Sequence, residues 1–177
     1  MKEITWYGRG GQGAFTASRI LGAAATIKGF NALAFPSFGP ERRGAPIRAF
    51  TKISEEKISD RSIVKQNDYI IILDDSLFDK ELLKKLKPGG RLFINTVKNQ
   101  KQFGDERIIA GDISSLAKKI LNRPIVNIGI LGLLLPVDDE IGIEEIYSAI
   151  DGYMPGKIAQ KNKRLLEKVI EEGVTKE

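Results

Sequence analysis

Residues 4–22 read Ile-Thr-Trp-Tyr-Gly-Arg-Gly-Gly-Gln-Gly-Ala-Phe-Thr-Ala-Ser-Arg-Ile-Leu-Gly. Ile4 to Tyr7, β-branched and aromatic, reads as a short strand. Ala14 to Lys28 reads as a helix. Its small residues (Ala17, Ala23, Ala24, Ala25) suit close packing on a sheet, and Gly29 follows as a C-cap. Between them, Gly8, Gly10 and Gly13 match the spacing G-x-G-x-x-G. Glycine permits positive φ and close approach of a ligand to the backbone. A helix start offers unpaired N–H groups and a partial positive charge. Together they make a phosphate-sized anion site. Arg9 adds a full charge, and the Gln12 amide can donate or accept.

Working outward, Ala32 to Phe35 is a second apolar run, so residues 1–35 form a plausible βαβ unit. Residues 36–46, Pro-Ser-Phe-Gly-Pro-Glu-Arg-Arg-Gly-Ala-Pro, are a Pro/Gly-rich loop. Ile47 to Ile53 alternates as a strand, and Ser-Glu-Glu-Lys after it predicts a hairpin with Ile58. Ile70 to Leu73 is a continuous apolar run ending in Asp74-Asp75, the mark of a buried parallel strand. Ser76 is expected to cap a helix through Leu86, stopped by Lys-Pro-Gly-Gly. Strands are then expected at Arg91 to Val97 and Arg107 to Ile113. Helices are expected at Ser114 to Leu121, Ile125 to Leu135 (buried on all sides), Gly142 to Ile150 and Lys157 to Gly173. Alternating strands and helices predict one α/β domain over residues 1–177. Its sheet should be mostly parallel and flanked by helices, Rossmann-like, with an antiparallel strand or hairpin near 47–58.

Composition narrows the chemistry. The 177 residues include no cysteine and no histidine. Disulfides, thiolate nucleophiles, cysteine-ligated iron–sulfur clusters and imidazole catalysis are therefore excluded from this chain. Net charge is +5, which suits anionic partners. Much of that charge is the ordinary solvated surface. Residues 1–8 lack the apolar core of a signal peptide. Ile125 to Val137 falls short of the ~20 residues needed to span a bilayer. A cytoplasmic protein is expected. Many Lys and Glu with no Cys or His lean towards a thermophilic source.

The glycine spacing invites a dinucleotide reading, which fails on a neighbouring requirement. That fingerprint wants an acid at the end of the second strand to hold the ribose hydroxyls. Here the strand ends Ala34-Phe35-Pro36-Ser37, and no Asp or Glu occurs in residues 4–40. The first acid beyond is Glu41, beside Arg42 and Arg43. If strand 1 lies between strand 2 and the 70–73 strand, the loops at 8–13, 36–46 and 74–76 share one rim. Two basic loops then face an anionic ligand or a partner surface. The competing reading of 36–46 is a solvated loop with an internal Glu–Arg pair.

Residues 8–22, "GRGGQGAFTASRILG", and 36–54, "PSFGPERRGAPIRAFTKIS", together resemble the gamma subunit of the 2-oxoacid:ferredoxin oxidoreductases. Residues 125–134 and 156–169 are similar to that family too. The two loop motifs are far more specific together than apart. The resemblance implies a subunit of a multi-subunit enzyme that oxidatively decarboxylates a 2-oxoacid, with pyruvate the leading candidate, to acyl-CoA and reduces ferredoxin. It implies thiamine diphosphate, Mg and iron–sulfur clusters on partner subunits. Alpha, beta and delta (ferredoxin-like) subunits complete a heterotetramer, ferredoxin accepts the electrons, and neither nucleic acid nor membrane is involved. This chain is expected to bind no cofactor tightly, to be inactive alone, and to serve assembly and the coenzyme A side. The implied contact residues are Gly8, Arg9, Gly10, Gly11, Gln12, Gly13, Ser37, Gly39, Pro40, Glu41, Arg42 and Arg43; no catalytic residue or metal ligand is assigned.

Other features have plainer readings. Asp74 and Asp75 suit metal ligation or a general base, but helix capping is preferred. Asn95 and Thr96 suit turn chemistry as well as binding. Lys157, Lys161, Lys163 and Arg164 crowd the first half of the last helix, against its dipole. Two alternatives stay open: a free-standing NAD(P)-binding oxidoreductase, and a nucleic-acid module, which lacks a basic–aromatic stripe.

Overall fold

A computed structural model describes residues 1–37 and 44–172. Six strands form one sheet: β1 (Lys2–Arg9), β2 (Asn31–Pro36), β3 (Pro46–Ser54), β4 (Asn67–Ile72), β5 (Leu86–Asn95) and β6 (Ile108–Gly111). The helices are α1 (Ala14–Lys28), α2 (Ile113–Leu121), α3 (Leu131–Leu134), α4 (Ile143–Tyr153) and α5 (Gly156–Glu172). The order across the sheet is β2-β3-β1-β4-β5-β6. The β1–β4, β4–β5 and β5–β6 pairings are parallel; β3 pairs antiparallel with both β1 and β2. The expected mostly parallel α/β sheet with an antiparallel strand is the fold observed.

The alternating pattern of β3 explains its place. Ile47, Ala49, Thr51 and Ile53 face the helices, while Arg48, Phe50 and Lys52 face the other side. Trp6 on β1 is fully buried and donates from Nε1 to Thr51 Oγ1 at 3.0 Å. Thr51 in turn donates to the Ser18 carbonyl on α1 at 3.1 Å. Lys52 is fully buried, yet its ammonium reaches Asp60 Oδ2 at 2.7 Å, so the charge is paired rather than stranded. β3 thus lies between β1 and β2, correcting the expectation that β1 is flanked by β2 and the 70–73 strand. The expected hairpin with Ile58 is also absent, because residues 55–66 form no strand and Asp60 instead straps this segment onto Lys52.

The α-helices cover one face through a core that includes Trp6, Ile20, Ile71, Phe93, Ile128 and Leu166. The other face of β4–β6 packs Ile70, Ile72, Leu92 and Ile94 against Leu77, Phe78 and Phe103. That layer is built from 3-10 helices at Asp75–Leu77, Lys80–Lys85 and Gln100–Phe103. The single helix expected from Ser76 to Leu86 is therefore two short ones. Asp74 and Asp79 each cap their own turn, and Phe78 between them is extended so that its ring meets Phe103 edge-on at 5.2 Å. Lys-Pro-Gly-Gly, expected to stop that helix, lies inside β5. There the pairing with β4 shifts register, and Gly89 has φ +80°.

The strand expected through Ile113 ends at Gly111, and Asp112 caps α2 by accepting from Ser115 N at 3.0 Å. The helix expected over Ile125 to Leu135 contracts to α3. Val126 and Asn127 are drawn towards the glycine turn. A Cβ on Gly132 would come within 2.7 Å of Val169, so this stretch is pressed directly against α5. At the opposite end of the sheet, Lys2 pairs with Asp138 at 2.6 Å. Burial, with Asp138 close by, pushes the neighbouring Tyr69 hydroxyl up to about 12.

Candidate functional site

The crossover from β1 through α1 leads to β2 on one side; β4 leads to β5 on the other. The crevice at the carboxyl ends of β1 and β4 is thus where the connections diverge, the usual ligand position in such sheets. The glycine turn sits there. Gly11 and Gly13 have φ of +93° and +79°, conformations that favour glycine. A Cβ on Gly8 would press on Ala14 and Leu73, both at 3.3 Å, so this glycine serves strand–helix packing. Gln12 folds back into the turn: its Oε1 accepts from Arg9 N at 2.7 Å, and its own N–H donates to the Arg9 carbonyl. The N–H groups of Gly11 and Gly13 have no acceptor among the described residues.

Asp74 clamps this turn. Its Oδ2 receives Gln12 Nε2 at 3.1 Å and lies 3.3 Å from Arg9 Nε. The Ser76 hydroxyl, then the Gln12 amide and the Arg9 guanidinium, hold the Asp74 carboxyl below the usual carboxylate range. Arg9 also donates to Ser76 Oγ at 2.7 Å and to the Gly44 carbonyl at 3.2 Å. The second loop reaches the first: Gly10 N donates to Ala45 O at 2.9 Å, and Gly44 N to Gly10 O at 3.1 Å. The described end of the 36–46 loop therefore shares a rim with the glycine turn, although β3 separates β1 from β2.

A cleft of about 480 Å³ opens beside the turn. Gly11, Gln12, Gly13, Asn127 and the exposed Val97 and Ile125 contribute to it, along with the carboxylates of Asp74, Asp75 and Asp112. Each carboxylate is engaged: Asp74 with the turn, Asp75 with Thr96 Oγ1 at 2.6 Å, and Asp112 with the start of α2. The preferred capping role thus holds for Asp74, whereas Asp75 ties β4 to β5. Asn95 bridges β5 to α2, donating to Leu73 O and Ser114 Oγ and accepting from Ile113 N and Ser114 N. Among the described residues, no group of three or more His, Cys, Asp or Glu is placed to hold a metal ion.

Of the contact residues read from the sequence, Gly8, Arg9, Gly10, Gly11, Gln12 and Gly13 form this turn. Ser37 lies at the end of β2 and donates from its N–H to Arg48 O on β3 at 2.8 Å. Gly39, Pro40, Glu41, Arg42 and Arg43 lie outside the described residues. Within the turn, Arg9 is not a free cation, because Asp74 neutralises it. Asn127 is the site residue that sequence reasoning passed over. Its one signal was to be the sole polar residue between Ile125 and Leu135.

A family model described as pyruvate ferredoxin/flavodoxin oxidoreductase matches residues 3–172. The chain belongs to this family. Within the pyruvate ferredoxin/flavodoxin oxidoreductase family it is 40% identical over 168 residues to pyruvate synthase subunit PorC of Methanocaldococcus jannaschii, covering 94% of each chain. It is 36% identical over 184 residues to the pyruvate/ketoisovalerate oxidoreductases common subunit gamma of Thermococcus litoralis, covering 100% of each. The crystal structure of pyruvate oxidoreductase subunit PORC from Thermotoga maritima is similar with a TM-score of 0.83 at 32% identity, covering 97% of this chain and 96% of that one. The resemblance carried by the two loop motifs is thus a true family relationship, and these relatives are subunits of an oxidoreductase complex. Among the described residues no helix is long and apolar enough to cross a membrane.

Proposed function

We propose that this chain is the gamma subunit of a 2-oxoacid:ferredoxin oxidoreductase, with pyruvate the first candidate substrate. In this reading it contributes assembly contacts and the coenzyme A side of the active site. Alpha, beta and delta partners carry thiamine diphosphate, Mg and the iron–sulfur clusters, and ferredoxin takes the electrons. A chain without cysteine or histidine suits that division of labour. The organic chemistry belongs to the cofactors; this chain's residues bind and orient.

The observation that carries the coenzyme A assignment is the open glycine turn. Gly11 and Gly13 leave N–H groups free at a helix N-terminus, which suits a phosphate. The lining of the cleft limits where that phosphate belongs. The carboxylates of Asp75 and Asp112, which line the same cleft, disfavour it beside them, whereas Gly11 is exposed. The phosphate end therefore fits the exposed glycine turn, and an uncharged portion fits against Val97 and Ile125. Arg42 and Arg43 supply the charge-assisted contacts in this reading.

The test is coenzyme A titration of the assembled complex carrying Arg42→Ala and Arg43→Ala. Loss of charge-assisted bonds worth about 1.5–3 kcal/mol raises KM for coenzyme A by roughly tenfold or more. An unchanged KM in an intact complex rejects the assignment. The NAD(P) reading is not favoured, since β2 ends at Pro36, Ser37 follows it, and neither is an acid.

A further inference from the structure

Asn127 lines the cleft beside the glycine turn, yet only 6% of its surface is exposed. Its neighbours Val126 and Ile128 are apolar and buried, so a polar side chain at this point needs a reason. Satisfying Gly13 is not that reason. The Gly13 carbonyl already accepts the first helical bond of α1, from Ala17 N at 3.0 Å, and Asn127 Nδ2 adds a longer one at 3.3 Å. The added bond does orient the amide. Its nitrogen faces the carbonyl, so its oxygen is turned elsewhere. Among the described residues no donor reaches Asn127 Oδ1. Nor is that oxygen sealed in: Gln100 Oε1 is the only fully buried side-chain atom without a partner among the described residues. Asn127 Oδ1 therefore opens on the cleft.

The other neutral polar side chains of the cleft are spent inside the fold. Gln12 bonds Arg9 and Asp74. Asn95 uses both of its polar atoms, on Leu73, Ile113 and Ser114. Thr96 donates to Asp75 and accepts from Lys98 N. Asn127 Oδ1 is left as the uncharged acceptor for a ligand. An ammonium group would go to Asp75 or Asp112 instead, whose full charges line the same cleft. A neutral carbonyl selects a neutral N–H or O–H, and the exposed Val97 and Ile125 ask for aliphatic surface around it.

We propose that Asn127 is a specificity-determining contact of this cleft: its Oδ1 accepts a hydrogen bond from an uncharged amide N–H or hydroxyl on the arm of the ligand whose phosphate lies on the glycine turn. The proposal rests on the coenzyme A reading and deepens it, since coenzyme A carries amides and a hydroxyl on an aliphatic arm beyond its phosphates. A ligand without the donor covers Oδ1 and leaves it unpaired. Such a site rejects the wrong ligand by more than the bond itself is worth.

The test is a cycle between protein and ligand in the assembled complex. KM for coenzyme A is compared with KM for analogues that each lack a single donor, the hydroxyl replaced by hydrogen or an amide N–H by an ester oxygen. In the wild type, loss of the contacted donor is expected to raise KM about tenfold. Asn127→Ala is expected to raise KM for coenzyme A and to treat that analogue and coenzyme A alike. A merely structural Asn127 would shift both ligands equally and keep their ratio. Where Asn127→Ala does not assemble, Asn127→Ser is read instead, because it keeps a donor for the Gly13 carbonyl while withdrawing the amide oxygen. An unchanged ratio in the variant overturns the proposal, as does a wild type that accepts every analogue as readily as coenzyme A. The Arg42→Ala and Arg43→Ala titration separates the two readings. If those variants raise KM while the Asn127 ratio stays fixed, the Asn127 contact alone is wrong. If they too leave KM unchanged, the coenzyme A assignment falls with it.

Discussion

Asn127 occupies the space that a side chain on Gly13 would need. Its Nδ2 donates to the Gly13 carbonyl at 3.3 Å, and a Cβ built on Gly13 would lie 2.5 Å from that nitrogen. Two residues 114 positions apart in sequence thus fix the start of α1.

This pairing predicts a coupled effect. Gly13→Ala meets both the strained φ of +79° and the Asn127 amide. It is expected to destabilise the fold by roughly 1–3 kcal/mol. Asn127→Ala removes the collision but not the strain, so the double variant should lose less than the sum of the two singles. Urea midpoints of the four proteins test this, and strict additivity would contradict it.

Asp74 predicts an acid limb. Its folded pKa is depressed, chiefly by the Ser76 hydroxyl and then by Gln12 and Arg9. The ionised clamp therefore contributes stability above the unfolded value of about 3.9 and loses it as pH falls through the lower folded value. Asp74→Asn should be less stable than the wild type near neutrality. The gap should close below about pH 4. Unfolding midpoints across the acid range check the sign; a gap that widens on acidification refutes it.

The buried chain from Trp6 through Thr51 to Ser18 predicts a third outcome. Thr51→Val leaves the Trp6 indole N–H buried without its acceptor. The expected cost is about 1–3 kcal/mol. Trp6 is the only tryptophan, so its emission reports the change directly. Unchanged stability and emission would show that the bond is dispensable.

The isolated chain should fold cooperatively yet turn over no 2-oxoacid, because it has no thiolate or imidazole with which to ligate a cluster or move a proton. Ferredoxin reduction by this chain alone, after removal of all other subunits, would overturn its reading as a subunit.

The legible parts of the chain were those that local chemistry settles. The glycine turn between a β-branched strand and a small-residue helix specified β1, the turn and α1 without reference to anything distant. Apolar runs marked β4 and β5, and alternation marked β3. The stretch 76–86 misled because its helix-forming residues are overridden by Phe78, which leaves the helical path to reach Phe103 in the second core. Residues 125–135 misled because uniform apolarity carries no period, so tight packing on α5 decided their path.

By itself, the sequence determined the α/β class, the backbone freedom at Gly11 and Gly13, the lack of thiolate and imidazole ligands, and the family to which the paired loops belong. These depend on residue type and short spacing. Tertiary structure alone decided that β3 enters between β1 and β2, since strand order is set by which faces can be buried together. It also decided that Asp74 neutralises Arg9, that Asn127 closes on Gly13, and that three carboxylates line the cleft beside an anion-ready turn. Those relationships join residues far apart in the chain, and no local pattern encodes the distance between them.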